Sequence, residues 1–235
     1  RLSRGWSELT GGSFDVTVGP LIALWTEAAA RDAPPSAAEL AAARSRVGWR
    51  QVRVHADGRA ELLAAGVQVD LGGVAKGYAL ERMVRILERR GIRDALLNFG
   101  QSSTWARGRP ADAEAWRLLA RGPGESFLGV LELVDLAMSV SGALGQWVEI
   151  GGRRYGHVLD PRTGEALQRS RQALVVAPDA ALAEALSKAM LVLEEREALA
   201  LVEGQPGCEG LLVDADGTVW HTPAWNQTVG FSPLP

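Results

Sequence analysis

The sequence predicts a single α+β domain in which mixed, largely antiparallel strands carry packed helices. Three observations lead there. At 235 residues with 47% apolar content, the chain can bury a substantial core. Short alternating runs dominate its middle, and turn dipeptides separate several of them. Helical patterns interleave with those runs irregularly, without the strict strand–helix alternation of a doubly wound sheet.

The elements follow in chain order. RLSRGWSEL reads as the tail of a helix and lacks an initiating Met, which implies a processed or trimmed product. RDAPPSAAEL is a loop opening a helix over 37–47, because Ser36 and Glu39 have capping-box spacing and Gly48 stands where a helix C-terminal glycine belongs. QVRVHA and AELLAAGVQVDL alternate on either side of Asp57-Gly58, so they read as a hairpin running to Leu71. After Gly72-Gly73, apolar residues at 75, 79, 83, 86 and 87 mark one face of a helix reaching Arg90. Strands are expected at 94–99, 116–121, 128–134, 137–141, 146–150, 154–159 and 172–177. Asp179, following Pro178, caps a long helix that ends at Glu203 before Gly204. LLVD-ADG-TVWHT forms a closing hairpin, with a Pro-rich tail behind it.

The formal charge of −3 gives none of the basic field that nonspecific nucleic-acid binding needs, so nucleic acid is not an expected partner. Cys208 is the only cysteine, which excludes an intrachain disulfide and a cysteine-rich zinc site. No apolar run is long enough to cross a membrane as a helix. Of 25 basic residues only Lys76 and Lys188 are lysine.

Three stretches carry candidate chemistry. In DLGGVAKGYALERM, glycines at a strand-to-helix turn let the backbone approach phosphate, although the spacing is neither a P-loop nor a dinucleotide fingerprint and plain turn roles explain it too. Lys76 lies in the first turn, where the helix dipole disfavours a cation unless an anion is near; Asp70 stands at the preceding strand end. In YGHVLDPRTGEA, His157 and Asp160 bracket a strand end, and histidine suits proton transfer near neutrality; the competing reading is a hairpin corner. TGGSFDVTVGPL crowds glycines around Phe14 and Asp15, as a ligand loop or an ordinary glycine-rich connection would. Asp214-Ala-Asp216-Gly217 lacks the remaining ligands of a calcium loop, and Ser141 lacks the flanking glycines of a hydrolase elbow.

In order and spacing, TGGSFDVTVGPL, VDLGGVAKGYALERM, NFGQSS, VSG, YGHVLDPRTG and PDAALAEALSKAMLVL resemble the signatures of the ApbE family, the FAD:protein FMN transferases once described as thiamine-biosynthesis lipoproteins. The resemblance runs from Thr10 to Glu203. It implies an α+β fold holding FAD in a surface cleft and moving its FMN half to a Thr or Ser hydroxyl of a target flavoprotein, with AMP released and magnesium assisting. By position it implies that Ser13, Phe14, Asp15, Asp70, Lys76, Leu159 and Asp160 contact the flavin nucleotide, with His157 and Asp160 catalytic. It further implies an earlier strand and helix ahead of Arg1, and an extracytoplasmic address, often with a lipid anchor at an N-terminal cysteine that this sequence does not contain.

The pattern breaks in the late helix. Where the family writes aspartate and, four residues on, threonine as metal ligands, this chain has Glu184 and Lys188; Gly73, Glu184 and Ser187 are what it offers a metal. An ammonium has no lone pair and repels a dication. Glu184 and Lys188 also have the spacing of an ordinary exposed helical ion pair, the competing reading. A second departure is Gln101, where a glycine is usual. Three activities therefore remain open: FMN transfer, FAD hydrolysis by water, and noncatalytic FAD binding. Lys188 displacing magnesium is one expectation, and loss of transfer is another.

Overall fold

The computed structural model describes residues 1–100, 102–122, 126–143 and 145–234. Its helices and strands are, in order, α1 (Leu2–Leu9), α2 (Gly19–Ala30), α3 (Ala37–Arg44), β1 (Val52–Val54), β2 (Ala60–Leu62), α4 (Ala75–Arg89), β3 (Ala95–Phe99), β4 (Ser103–Arg107), β5 (Trp116–Arg121), β6 (Phe127–Leu133), β7 (Leu136–Gly142), β8 (Trp147–Ile150), β9 (Arg153–Gly156), β10 (Arg171–Ala177), α5 (Ala180–Val192), α6 (Glu195–Glu203), β11 (Glu209–Asp214), β12 (Val219–His221), α7 (Trp225–Val229) and β13 (Ser232–Pro233). All of the described strand pairs are antiparallel, as the alternating runs predict. The chain divides into two compact units, residues 1–73 with 143–169, and residues 74–142 with 170–235.

Unit 1 joins α1–α3 to two hairpins. The capping box forms as predicted, Ser36 Oγ accepting from the Glu39 N–H and the Glu39 carboxylate accepting from the Ser36 N–H. The Asp57-Gly58 turn also forms, with Val52 opposite Leu62, but β2 stops there. Gly66, at φ +81°, redirects the chain, so the expected continuation to Leu71 instead makes one parallel bridge, Val18 to Gln68. The core of this unit gathers Leu21, Leu24, Trp25, Tyr155, Leu159 and Ala166. Trp25 and Tyr155 pack ring to ring at 4.9 Å. Trp25 Nε1 also donates to the Gly164 carbonyl at 2.9 Å, fixing the turn after His157.

Unit 2 is built on a six-stranded sheet in the order β12-β11-β10-β7-β4-β3, with a separate sheet β13-β6-β5. Alternation along β7 sorts its side chains to two faces. Met138 and Val140 join the core of Leu131, Leu133, Leu174, Val176 and Trp225, while Ala137 packs with Leu80, Val84 and Trp105 under α4 and α5. Ser139 and Ser141 share the face of Ala137 and meet α5. The long helix expected over 179–203 is two helices, because Leu193 and Glu194 take extended backbone angles between α5 and α6.

Candidate functional site

The predicted site residues fall in both units. Ser13, Phe14, Asp15, Asp70, Gly73, His157, Leu159 and Asp160 belong to unit 1; Lys76, Glu184, Ser187 and Lys188 belong to unit 2. Gln101 lies outside the described residues.

In unit 1 the glycine-rich loop is tied down by its own polar groups. The buried Asp15 carboxylate accepts from Thr17 N–H at 2.8 Å, Thr17 O–H at 2.6 Å and Trp49 N–H at 2.8 Å. Ser13 Oγ donates to the Thr10 carbonyl at 2.8 Å, and Thr10 Oγ1 accepts from Phe14 N–H at 3.2 Å. Phe14 is buried. Asp70 N–H donates to the Val16 carbonyl at 2.7 Å, and its carboxylate accepts from Gly72 N–H at 2.7 Å, shaping the turn that precedes α4.

The stretch after β9 forms the expected corner. Gly164 N–H donates to the Asp160 carbonyl at 2.7 Å, and Leu159 bridges to Ala166. The buried Asp160 carboxylate accepts from the backbone N–H, Nε and Nη2 of Arg162 at 2.8, 3.1 and 3.0 Å. His157 is exposed, and its Nδ1 lies 3.0 Å from the Gln146 carbonyl. A carbonyl only accepts, so Nδ1 carries the proton in that bond.

Unit 2 concentrates polar groups on the helix-facing side of its sheet. Glu184 is fully buried; its carboxylate accepts from Gly77 N–H at 2.9 Å and Ser103 O–H at 2.6 Å. The exposed ion-pair reading therefore fails for this carboxylate. Gly77 is the third residue of α4, so Glu184 of α5 caps that helix start. The service is mutual: Glu81 of α4 accepts from Ala180 N–H, the first residue of α5, at 2.7 Å, and from Trp105 Nε1 at 2.8 Å. Only glycine permits this approach, because a Cβ at residue 77 would stand 2.4 Å from the Ala180 carbonyl oxygen.

Around Glu184 lie the two lysines. Lys76 donates to Ser102 Oγ. Lys188 is half-buried and donates to the Glu184 carbonyl at 3.2 Å, with Ser141 Oγ at 3.5 Å. Burial lowers the Lys188 ammonium to about 8; Glu184 opposes this, and the neighbouring Lys76 charge adds to it. The buried Ser187 hydroxyl lies 3.0 Å from Ser139 Oγ and 2.8 Å from Ser141 Oγ, and donates to the Glu184 carbonyl at 3.1 Å. Ser102 and Ser103 lie in NFGQSS and Ser141 in VSG, but neither motif assigns these hydroxyls a partner and Ser139 lies in no motif; the register of β4 against β7, Ser103 opposite Ser139, is what sets Ser103, Ser139 and Ser141 beside α5.

Magnesium needs several hard oxygen donors. Within unit 2 both Glu184 carboxylate oxygens already meet donors, and an ammonium lies on the Glu184 carbonyl. Unit 2 by itself does not fit that ion. Among the described residues no group of three or more His, Cys, Asp or Glu side chains is placed to hold a metal.

The model of the ApbE family matches residues 1–212. The chain belongs to the ApbE family. The FAD:protein FMN transferase of Klebsiella pneumoniae is 30% identical over 205 residues, which cover 83% of this chain and 58% of that protein. The FAD:protein FMN transferase of Treponema pallidum is 31% identical over 232 residues, covering 91% and 64%. Among solved structures, the apo form of the flavinyl transferase ApbE of Pseudomonas stutzeri superposes with a TM-score of 0.82 at 28% identity, covering 97% of this chain and 73% of that one. The α+β fold of the ApbE structures is thus the fold of this chain, and the chain spans about three-fifths of the length of the curated relatives it matches.

Proposed function

We propose that this chain transfers FMN from FAD to a Thr or Ser hydroxyl of an acceptor flavoprotein and releases AMP. The observation that carries the reading is the pair of ammoniums in unit 2, the chain's only two lysines: Lys76 in the first turn of α4 beside Ser102 Oγ, and Lys188 of α5 beside Ser141 Oγ. A diphosphate is the ligand whose charge matches them, and family membership says which diphosphate to try first. Within unit 1, Ser13, Phe14, Asp15, Asp70, Leu159 and Asp160 are proposed, on the family resemblance, as flavin-nucleotide contacts; Asp15 is braced by Trp49 N–H and Asp160 by Arg162.

In the proposed reaction the acceptor oxygen forms a bond to the FMN phosphorus. The bond from that phosphorus to the bridging oxygen breaks, and AMP leaves with that oxygen. The hydroxyl proton goes to Nε2 of His157, whose Nδ1–H is held by Gln146. Positive charge from the lysines offsets the charge that builds on the phosphoryl oxygens.

The test is incubation with FAD and a threonine-bearing acceptor domain. An acceptor heavier by FMN less one water, with AMP in solution, is the expected outcome. Free FMN plus AMP makes water the nucleophile, and unchanged FAD leaves a binding protein; either result overturns the transferase reading. His157→Ala is expected to slow transfer by roughly 100-fold or more while leaving FAD affinity within about threefold. An extracytoplasmic site of action completes the proposal; it rests on the family resemblance, and fractionation of source cells with antibody detection checks it.

A further inference from the structure

We infer that Lys76 and Lys188 form a metal-independent diphosphate site, in which the Lys188 ammonium supplies the charge that a divalent cation would otherwise bring. The inference rests on the FAD reading only for the identity of the natural ligand; the site itself is argued from unit 2.

The two cations are linked through Glu184. The N–H of Gly77, next in sequence to Lys76, donates to the Glu184 carboxylate at 2.9 Å, and Lys188 donates to the Glu184 carbonyl at 3.2 Å. Lys76 also donates to Ser102 Oγ, and Lys188 lies against Ser141 Oγ. The nearby carboxylate, Glu184, is fully buried, and its two oxygens are engaged by Gly77 N–H and Ser103 O–H. The carboxylate beside Lys188 is therefore already committed to capping α4, and the Lys76 charge adds to that of Lys188 rather than offsetting it. Placing like charges together is costly unless an anion joins them. Lysine rather than arginine also fits this geometry: a compact ammonium with rotatable donors can reach one phosphoryl oxygen while keeping its bonds to the Glu184 carbonyl and Ser141. In a chain that otherwise writes its cations as arginine, both lysines occur here.

The site also excludes its competitor. A divalent cation would have to displace the Lys188 ammonium from the Glu184 carbonyl and take a carboxylate that holds the first turn of α4. Loss of that cap and repulsion from Lys76 both oppose it.

Calorimetric titration of the purified protein with two probes, inorganic pyrophosphate and FAD, each in EDTA and in magnesium, tests the inference. Pyrophosphate is expected to bind in EDTA at least as tightly as in magnesium. Lys188→Met is expected to weaken that binding by roughly 10- to 100-fold, the range for loss of one charge-assisted hydrogen bond, and Lys188→Arg to recover most of it. Thermal melts of both variants within a few degrees of the parent separate loss of charge from loss of fold. Binding that requires magnesium, absence of pyrophosphate binding under both conditions, or indifference to Lys188→Met overturns the inference. Pyrophosphate binding as expected with no FAD binding leaves the site standing and removes FAD as its ligand.

Discussion

Replacing Gly77 with alanine sets two effects of opposite sign against each other. In a helix interior alanine is favoured over glycine by about 1 kcal/mol, so propensity predicts a more stable protein. Packing predicts the reverse. The new methyl would lie 2.4 Å from the Ala180 oxygen, 2.6 Å from its carbonyl carbon and 2.6 Å from the Ala181 Cα, all backbone atoms that no rotamer change can move. Ordinary carbon contacts lie at about 3.5–4.0 Å, so α4 and α5 must part by on the order of 1 Å. Overpacking of this kind costs about 1–3 kcal/mol. The separation also stretches both cross-caps, Gly77 N–H to Glu184 at 2.9 Å and Ala180 N–H to Glu81 at 2.7 Å, and weakening these charge-assisted bonds adds about 1–2 kcal/mol. Net of propensity, Gly77→Ala is expected to lose about 1–4 kcal/mol, a fall in Tm of roughly 2–16 °C for a protein of this size. Calorimetric melting and urea titration measure it. A variant as stable as the parent, or up to about 1 kcal/mol more stable, would mean that α4 and α5 are not held at this approach.

Four further outcomes follow from the same contacts. Glu184→Ala is expected to cost about 3–5 kcal/mol in urea unfolding, because Gly77 N–H, Ser103 O–H and Lys188 all lose a buried partner; Glu184→Gln keeps the shape and one acceptor and should cost about half as much. The Arg31 guanidinium, then the Ser36 N–H and hydroxyl, hold the Glu39 carboxyl down to about 2 from an ordinary 4.5. Its folded value is depressed, so the α3 cap contributes above the ordinary value and is lost as pH falls through about 2; Glu39→Gln should flatten that acid limb of a helicity titration. Burial pushes the Cys208 thiol up to about 12, so iodoacetamide at pH 8 should label it slowly when native and fast in denaturant, and rapid native labelling contradicts the burial. Trp25→Phe removes the bond to the Gly164 carbonyl and should cost about 1 kcal/mol in melting, with lowered protection of the 160–164 turn amides in hydrogen exchange.

Much of this fold is legible locally. The α3 capping box, the Asp57-Gly58 turn and the strands of the large sheet other than β4 declare themselves through spacing and alternation, because each is decided by side chains a few residues apart. Three features do not. α2, GPLIALWTEAAA, is apolar around most of its circumference and shows no clear stripe, and its Gly19-Pro20 start merges with the glycine-rich loop before it. β4, STWAR, puts serine and threonine in the interior, where the expected inward residue is apolar; what satisfies Ser103 is a carboxylate 81 residues away in sequence. The break at Leu193 and Glu194 leaves the apolar periodicity intact, so only backbone angles reveal it. Motif order located Lys76, Glu184 and Lys188, but the hydroxyls around them depend on sheet register, which periodicity cannot supply.

The polar cluster under α5 runs against everything else that helix does. Ala180, Ala181, Ala183, Ala185, Leu186, Ala189, Met190 and Leu191 are all buried, as a central helix requires, and apolar side chains at 184, 187 and 188 would extend that core without unpaired groups. Instead the helix buries a carboxylate and a hydroxyl and half-buries an ammonium, each of which needs partners drawn from α4, β4 or β7. Such a network stabilises only when complete, and an apolar replacement of similar volume is often neutral or better. Capping explains Glu184, since α4 begins without a side-chain cap of its own. It does not explain Lys188, whose ammonium is destabilised by burial and by Lys76. A charge held at a loss in the folded protein is accounted for by a ligand that binds it, which is why Lys188→Met is expected to melt no lower than the parent in the absence of anion and to gain less from added pyrophosphate.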